Sequence, residues 1–298
     1  MQSVKKIIAV LNDFTMINEV LDKTFSFAKK YHTPIEILYV HERPLFEIPD
    51  FFRSGEKELP LDKEKIKASI LEKVNTFDFE KTPVVFVKID DTADRVWALA
   101  REDKETFIIT AYHPDITKKL VHKVSQHILV LKSNTPTYQK MALIVDAGSP
   151  SAQYIERAKS YFPQINIELF YDYRYIVDPS MEADLQNIQI IEEAQKEAFE
   201  ALKEESGLEG KFFIDGDFLG TQMSEYLQEK DFDILYVCSH ADDYFVSDDL
   251  SLALLEDIAC DMLVANQKCT SQTRKKSGHI DGYHYFSVSY NCCDCLYL

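Results

Sequence analysis

Two stretches of this chain recur at long range, in the same order. Lys6-Ile7-Ile8-Ala9-Val10-Leu11-Asn12-Asp13 returns as Lys140-Met141-Ala142-Leu143-Ile144-Val145-Asp146-Ala147. Phe107-Ile108-Ile109-Thr110-Ala111-Tyr112-His113 returns as Ile234-Leu235-Tyr236-Val237-Cys238-Ser239-His240. The offsets are 134 and 127 positions, so the order of elements is kept and only a loop length differs. A period this long marks duplication of a whole domain rather than a solenoid of short units. A chain of 298 residues accommodates two domains that each bury a sizeable core. The expected division is a first domain over 1–133, a linker over 134–139 with Pro136, and a second domain over 140–266. The tail over 267–298 has no counterpart after the first copy and is expected to be disordered or atypical.

Within each copy, apolar runs alternate with helical periodicity. In the first, Lys6–Leu11, Ile35–Val40, Val84–Ile89, Thr106–Ala111 and His127–Leu131 have the apolar pattern of strands buried on both faces. Between them lie Met16/Ile17, Val20/Leu21, Phe25, Ala28 and Tyr31 at helical spacing, then helices over Leu61–Phe77, after Asp90-Asp91-Thr92, and over Asp115–Ser125. Asp90 and Asp91 are read as helix cap and first-turn charge. The second copy repeats the order, with strands at Met141–Val145, Ile165–Phe170, Lys211–Asp215, Ile234–Val237 and Met262–Ala265. Its helices fall on Ser151–Tyr161, Met181–Glu205, Phe218–Glu229 and Asp248–Ile258. Strict alternation of strand and helix implies an α/β fold. Two tandem, doubly wound, five-stranded parallel sheets are expected, each reversing its strand order beside strand one.

Charge is unevenly spread. Residues 1–133 carry 21 Lys+Arg and 21 Asp+Glu, residues 134–266 carry 8 and 27, and the tail carries 4 and 2. The acidic second half repels a phosphate backbone, so nucleic acid is not an expected partner. Apolar runs are far shorter than a membrane span and no signal-peptide core is present, so the reading is cytoplasmic, with no membrane partner. Cys238 and Cys260 lie in apolar strand contexts and the other four cysteines in the tail, so no disulfide framework spans the domains.

Several of these residues resemble the universal stress protein family (UspA-like). Val145-Asp146-Ala147-Gly148-Ser149 is similar to the family's first-strand exit, Phe232-Asp233-Ile234-Leu235-Tyr236-Val237 to its fourth strand, and Ile214-Asp215-Gly216-Asp217 to its third-strand exit. The resemblance covers about residues 5–266 as a tandem pair. It implies the adenine nucleotide alpha hydrolase-like fold, strand order 3-2-1-4-5, and stress-associated regulation by binding and assembly rather than turnover. Nucleotide-binding members hold ATP with Gly, two residues, Gly, nine residues, then Gly-Ser or Gly-Thr. Glycine there lets main-chain N–H groups crowd round phosphate at a helix N-terminus.

Both copies depart from that pattern. In the first, Ala111 and Pro114 replace the first two glycines, and residues 1–133 contain one glycine, Gly55, in another loop. In the second, Cys238 and Ala241 replace the pair and Leu250-Ser251 stands at the Gly-Ser position. A non-glycine forced into left-handed backbone costs about 1–2 kcal/mol. Proline adds a locked negative φ and a missing donor. The first copy is therefore expected not to bind ATP in the family's manner; Asn12, Asp13 and His113 are its remnant set. In the second, Asp146, Gly148, Ser149, Ser239 and His240 form a candidate adenine-nucleotide site, so ATP or AMP is a cofactor candidate there alone.

The remaining clusters carry simpler readings. Asn12 reads as a polar strand end capping a turn, and His113 and His240 as loop-pinning histidines. Asp242-Asp243 and Asp248-Asp249 lack the spacing and glycine of a calcium loop. Leu185, Ile188, Ile191, Ala194, Ala198 and Leu202 form one side of a long acidic helix, read as its sheet-facing stripe. His279, His284, Cys292, Cys293 and Cys295 do not have a standard zinc spacing, so no metal site is assigned. No catalytic residue is assigned, because no base, nucleophile or charged clamp stands at suitable spacing. The leading expectation is a regulatory binding protein with a possible protein partner, an intramolecular pseudo-dimer through the two fifth strands, and a possible homodimer. The alternatives are a nucleotide sensor using the second copy alone and a nucleotide-processing enzyme on a related fold.

Overall fold

A computed structural model describes residues 4–12, 16–42, 62–145, 151–174, 182–215, 221–240 and 250–267. The first half comprises β1 (Lys6–Leu11), α1 (Ile17–Tyr31), β2 (Ile35–His41), α2 (Lys63–Val74), β3 (Val84–Ile89), α3 (Thr92–Ala100), β4 (Thr106–Ala111), α4 (Pro114–Lys123) and β5 (His127–Leu131). The second comprises β6 (Lys140–Ile144), α5 (Ser151–Tyr161), β7 (Asn166–Arg174), α6 (Glu182–Ser206), β8 (Gly210–Asp215), α7 (Thr221–Glu229), β9 (Ile234–His240), α8 (Leu250–Asp257) and β10 (Asp261–Gln267). The sheet order is β3-β2-β1-β4-β5-β10-β9-β6-β7-β8. Each half thus has the order expected of it, 3-2-1-4-5, with all of its internal pairings parallel.

The two five-stranded units are joined into one sheet by antiparallel pairing of β5 and β10, with Met262 opposite Val130, Leu263 opposite Leu129 and Val264 opposite Ile128. The fifth strands therefore pair within the chain, which removes both inner edges at once. The period-two alternation of side chains feeds a layer on each face. Ile7, Ala9 and Leu11 join the layer under α1, while Ile8 and Val10 join the opposite one. Both layers run across the seam, because residues of both halves belong to each.

Local chemistry accounts for the helix limits. Asp91 caps α3 by accepting from the Asp94 N–H at 3.0 Å, and Asp90 pairs with Arg95, as expected for these aspartates. His32 closes α1 in left-handed backbone (φ 51°), and its N–H reaches the Ala28 carbonyl. Three apolar residues turn outward, two of them from the expected sheet-facing stripe of the long acidic helix. Trp97 on α3 is 39% exposed, with Arg101 stacked on its ring. On α6, Ile191 is exposed and so is Ala194. On α6 the reason is helix length: among its described side chains, those packed against the sheet belong to the later turns, around Phe199 and Leu202. The side chains of Leu185 and Ile188 lie outside the described residues.

Candidate functional site

A doubly wound sheet leaves a crevice at the carboxyl ends of strands one and four, where neighbouring crossovers go to opposite faces. In the first half that crevice lies past β1 and β4. Val10 is opposite Thr110, so Asn12 stands level with Tyr112, one residue before His113. The sequence-selected Asn12 and His113 are therefore brought together at one rim. Asp13 lies outside the described residues.

The two side chains share an unusual state. Both atoms of the Asn12 amide, and Nδ1 of His113, are shielded from solvent and have no hydrogen-bond partner among the described residues. The turn that Asn12 was expected to cap lies outside the described residues, and His113 Nδ1 makes no loop-pinning bond among them. The loop is held by the main chain instead. His113 donates its N–H to Thr117 Oγ1 at 2.8 Å and its carbonyl accepts from the Thr117 N–H at 2.9 Å.

This arrangement determines what the start of α4 offers to an anion. His113 is the N-cap, in extended backbone (φ −140°, ψ 125°). Its N–H is already committed to Thr117. Pro114 occupies the first turn and has no N–H. Asp115 places a carboxylate in the same turn, offsetting the partial positive charge of the helix terminus. Among the described residues, His32 is the one non-glycine at positive φ, so this corner contains none of the left-handed backbone that wraps phosphate.

In the second half, Asp146, Gly148 and Ser149 lie outside the described residues. Ser239 and His240 are the last two residues of β9, their backbones opposite Asn266 and Gln267 of β10. Strand four is thus longer here than in the first half, where β4 stops at Ala111. Leu250 begins α8; nine residues counted from Ala241 end there, so the family's Gly-Ser position falls one residue later than Leu250-Ser251, on Ser251-Leu252 in the helical first turn. Among the described residues no group of His, Cys, Asp and Glu is placed to hold a metal ion, and no helix is long and apolar enough to cross a membrane.

The seam holds chemistry that the sequence reading missed. Asp261, fully buried at the start of β10, accepts from the main-chain N–H groups of Lys132 (2.8 Å) and Ser133 (2.9 Å), from Ser133 Oγ (3.0 Å) and from the Tyr138 hydroxyl (2.5 Å). Asp233, noticed only as part of a strand motif, accepts from the N–H groups of Gln139 and Lys140. Two aspartates of the second half thus clamp both ends of the connecting segment. Burial and the Asp261 charge push the Tyr138 phenol up, so it stays a donor. Lys23 Nζ lies 3.6 Å from the Tyr138 ring centre, and burial brings its pKa down to about 8. Lys132 Nζ reaches the Leu255 and Ile258 carbonyls, closing the C-terminal end of α8.

Across the local dyad of β5 and β10, centred on the Leu129–Leu263 pair, His127 is the counterpart of Asp261. It too binds a tyrosine hydroxyl: Nδ1 is 2.9 Å from Tyr161 Oη. Burial, reinforced by the Arg157 charge, lowers the His127 pKa to about 3, so the ring is neutral. The repeat offset of 134 aligns Tyr161 with Phe27, which has no hydroxyl to offer Asp261. Tyr138 of the connecting segment supplies it instead. An aromatic cluster of Phe27, Tyr31, Phe107, Tyr161, Phe162 and Tyr138 fills this face of the seam.

Three solved structures share this architecture over 89% of the chain. A functionally unknown protein from Pseudomonas aeruginosa PAO1 superposes with a TM-score of 0.63 at 15% identity, covering 89% of this chain and 93% of its own. A universal stress protein from Archaeoglobus fulgidus DSM 4304 superposes with a TM-score of 0.57 at 12% identity, covering 89% and 99%. The fold is that of universal stress proteins. A further chain named as a candidate member, from Pseudomonas aeruginosa UCBPP-PA14, gives 0.62 at 14% identity, covering 89% and 94%. No family model matches the sequence and no curated protein matches it. At identities this low the likeness to universal stress proteins carries the fold and leaves the ligand to be argued from the residues.

Proposed function

We propose that this chain is a universal stress protein-like regulatory binding protein, built of two domains of one kind (1–133 and 140–266), whose first domain does not hold ATP in the family's manner. The observation that carries this reading is the start of α4. Its first-turn N–H is missing at Pro114, the preceding one is taken by Thr117, and Asp115 puts negative charge where phosphate would lie. A triphosphate there would meet a carboxylate, with only the Asp115 and Ile116 N–H groups of the first turn left to offset it. The orphaned Asn12 amide and His113 Nδ1 favour an uncharged polar guest or water in the same crevice, since buried polar atoms left unpaired cost about 1–3 kcal/mol each.

Adenine nucleotide binding, where it occurs, belongs in this reading to the second domain through Asp146, Gly148, Ser149, Ser239 and His240. Turnover is not part of the proposal, because the sequence sets no carboxylate or nucleophile at suitable spacing beside His113 or His240. Calorimetric titration of the full chain with ATP and AMP tests it. The expected stoichiometry is at most one. Any heat of binding should survive Asn12→Ala and His113→Ala and disappear with Ser239→Ala or His240→Ala. Binding abolished by His113→Ala would overturn the reading.

A further inference from the structure

The first described turns of α6 present apolar surface at the carboxyl rim of the second half. Phe199 packs beside Gly210, at the amino end of β8. One turn earlier, the Tyr171 hydroxyl donates to Gln195 Oε1, and Tyr171 is opposite Phe212. A helix rises about 1.5 Å per residue and a strand about 3.3 Å. Ile190 and Ile191 therefore stand level with the last residues of β7 and β8, and the helix start projects beyond them. Ile190 is 66% exposed and Ile191 49% exposed, and Ala194 beside them is also exposed. Around this patch the helix is strongly acidic. Its 25 residues include eight Asp and Glu, Glu192, Glu193 and Glu197 among them, against Lys196 and Lys203.

We infer that the C-terminal segment 268–298 of this same chain seats on that surface. β10 runs parallel to β9 and β6, so Gln267 leaves the sheet at the same rim. Three inter-strand steps of about 4.8 Å separate β10 from β7, and a cover helix lies about 10 Å above its sheet. The seven residues from Gln267 to Arg274 reach about 25 Å when extended, which spans that distance. They deliver Arg274-Lys275-Lys276, the densest basic run beyond residue 133, to the glutamates of α6. Beyond it Ile280, Tyr283, Tyr285 and Phe286 supply apolar and aromatic surface for Ile190 and Ile191. Tethering raises the effective concentration of such a contact to the millimolar range, enough for a weak site to be occupied. A second copy of α6 fits poorly, because like-charged helices repel.

Hydrogen exchange of the full-length chain, read by mass spectrometry over the α6 and tail peptides, tests the inference. Arg274→Glu/Lys275→Glu/Lys276→Glu should speed exchange in the α6 peptide about tenfold. Ile190→Ser/Ile191→Ser should release the tail peptide by a similar factor, with the thermal transition unchanged because both side chains are exposed. High salt should act like the charge reversal. Tail exchange at unprotected rates in the wild type, with α6 rates indifferent to the tail charges, would overturn it. So would α6 protection that grows with protein concentration, which would place a second copy there.

Discussion

Replacement of Asp261 by alanine probes the joint between the halves most sharply. The carboxylate is fully buried and accepts from two main-chain N–H groups and two hydroxyls. Alanine leaves the N–H groups of Lys132 and Ser133 and the Tyr138 hydroxyl without an acceptor and too enclosed for water to replace it fully. Each orphaned donor costs about 1–3 kcal/mol, and loss of one member of a buried network costs about 3–5 kcal/mol in total, since the terms are not additive. At about 2–4 °C per kcal/mol for a chain of this class, the melting temperature should fall by roughly 6–20 °C. Asp261→Asn retains one acceptor oxygen and should lose only about 1–2 kcal/mol. Urea unfolding followed by far-ultraviolet circular dichroism measures both. A loss below about 1 kcal/mol for Asp261→Ala, at unchanged m-value, would refute the claim that this carboxylate holds the seam.

Three further outcomes are expected. The His127 pKa of about 3 lies below the ordinary 6.5, so between those values the unfolded chain takes up a proton that the folded chain refuses. The His127 contribution to stability is therefore complete above about pH 6.5 and declines as pH falls toward 3, by at most about 1.4 kcal/mol per unit. Between pH 6.5 and 5 His127→Gln should show a shallower decline than the wild type in urea midpoints, and equal slopes would contradict the assignment. Gly210→Ala would put a Cβ 2.5 Å from the Leu169 carbonyl oxygen, so the β7–β8 edge must shift, at a cost of about 1–3 kcal/mol in a melt. Lys132→Met removes the cation that closes α8, and exchange of the last α8 amides should quicken while those of α4 do not.

The sheet was legible because each strand is a short run buried on both faces, and such runs as Phe107–Ala111 and Ile234–Val237 allow no other place in an alternating α/β chain. The joining of the fifth strands was also within reach, since each is the inner edge of its unit. The seam chemistry was not. Asp261 and Tyr138 lie 123 positions apart, and an aspartate just before an apolar strand is usually a solvated end. The one available hint was the difference between Phe27 and Tyr161 at equivalent positions. The α6 stripe was misjudged for a geometric reason: periodicity shows which side of a helix is apolar, not where the sheet beneath it ends. At the crevice, Asn12 and His113 were found because the repeat marks them. Their lack of partners among the described residues is invisible in residue type.

The proposed loss of phosphate binding in the first crevice is open to a direct count. Native mass spectrometry of the intact chain with saturating ATP counts occupied sites directly. The account predicts zero or one nucleotide per chain, with the count unchanged in His113→Ala. Two bound nucleotides, falling to one in that variant, would contradict it.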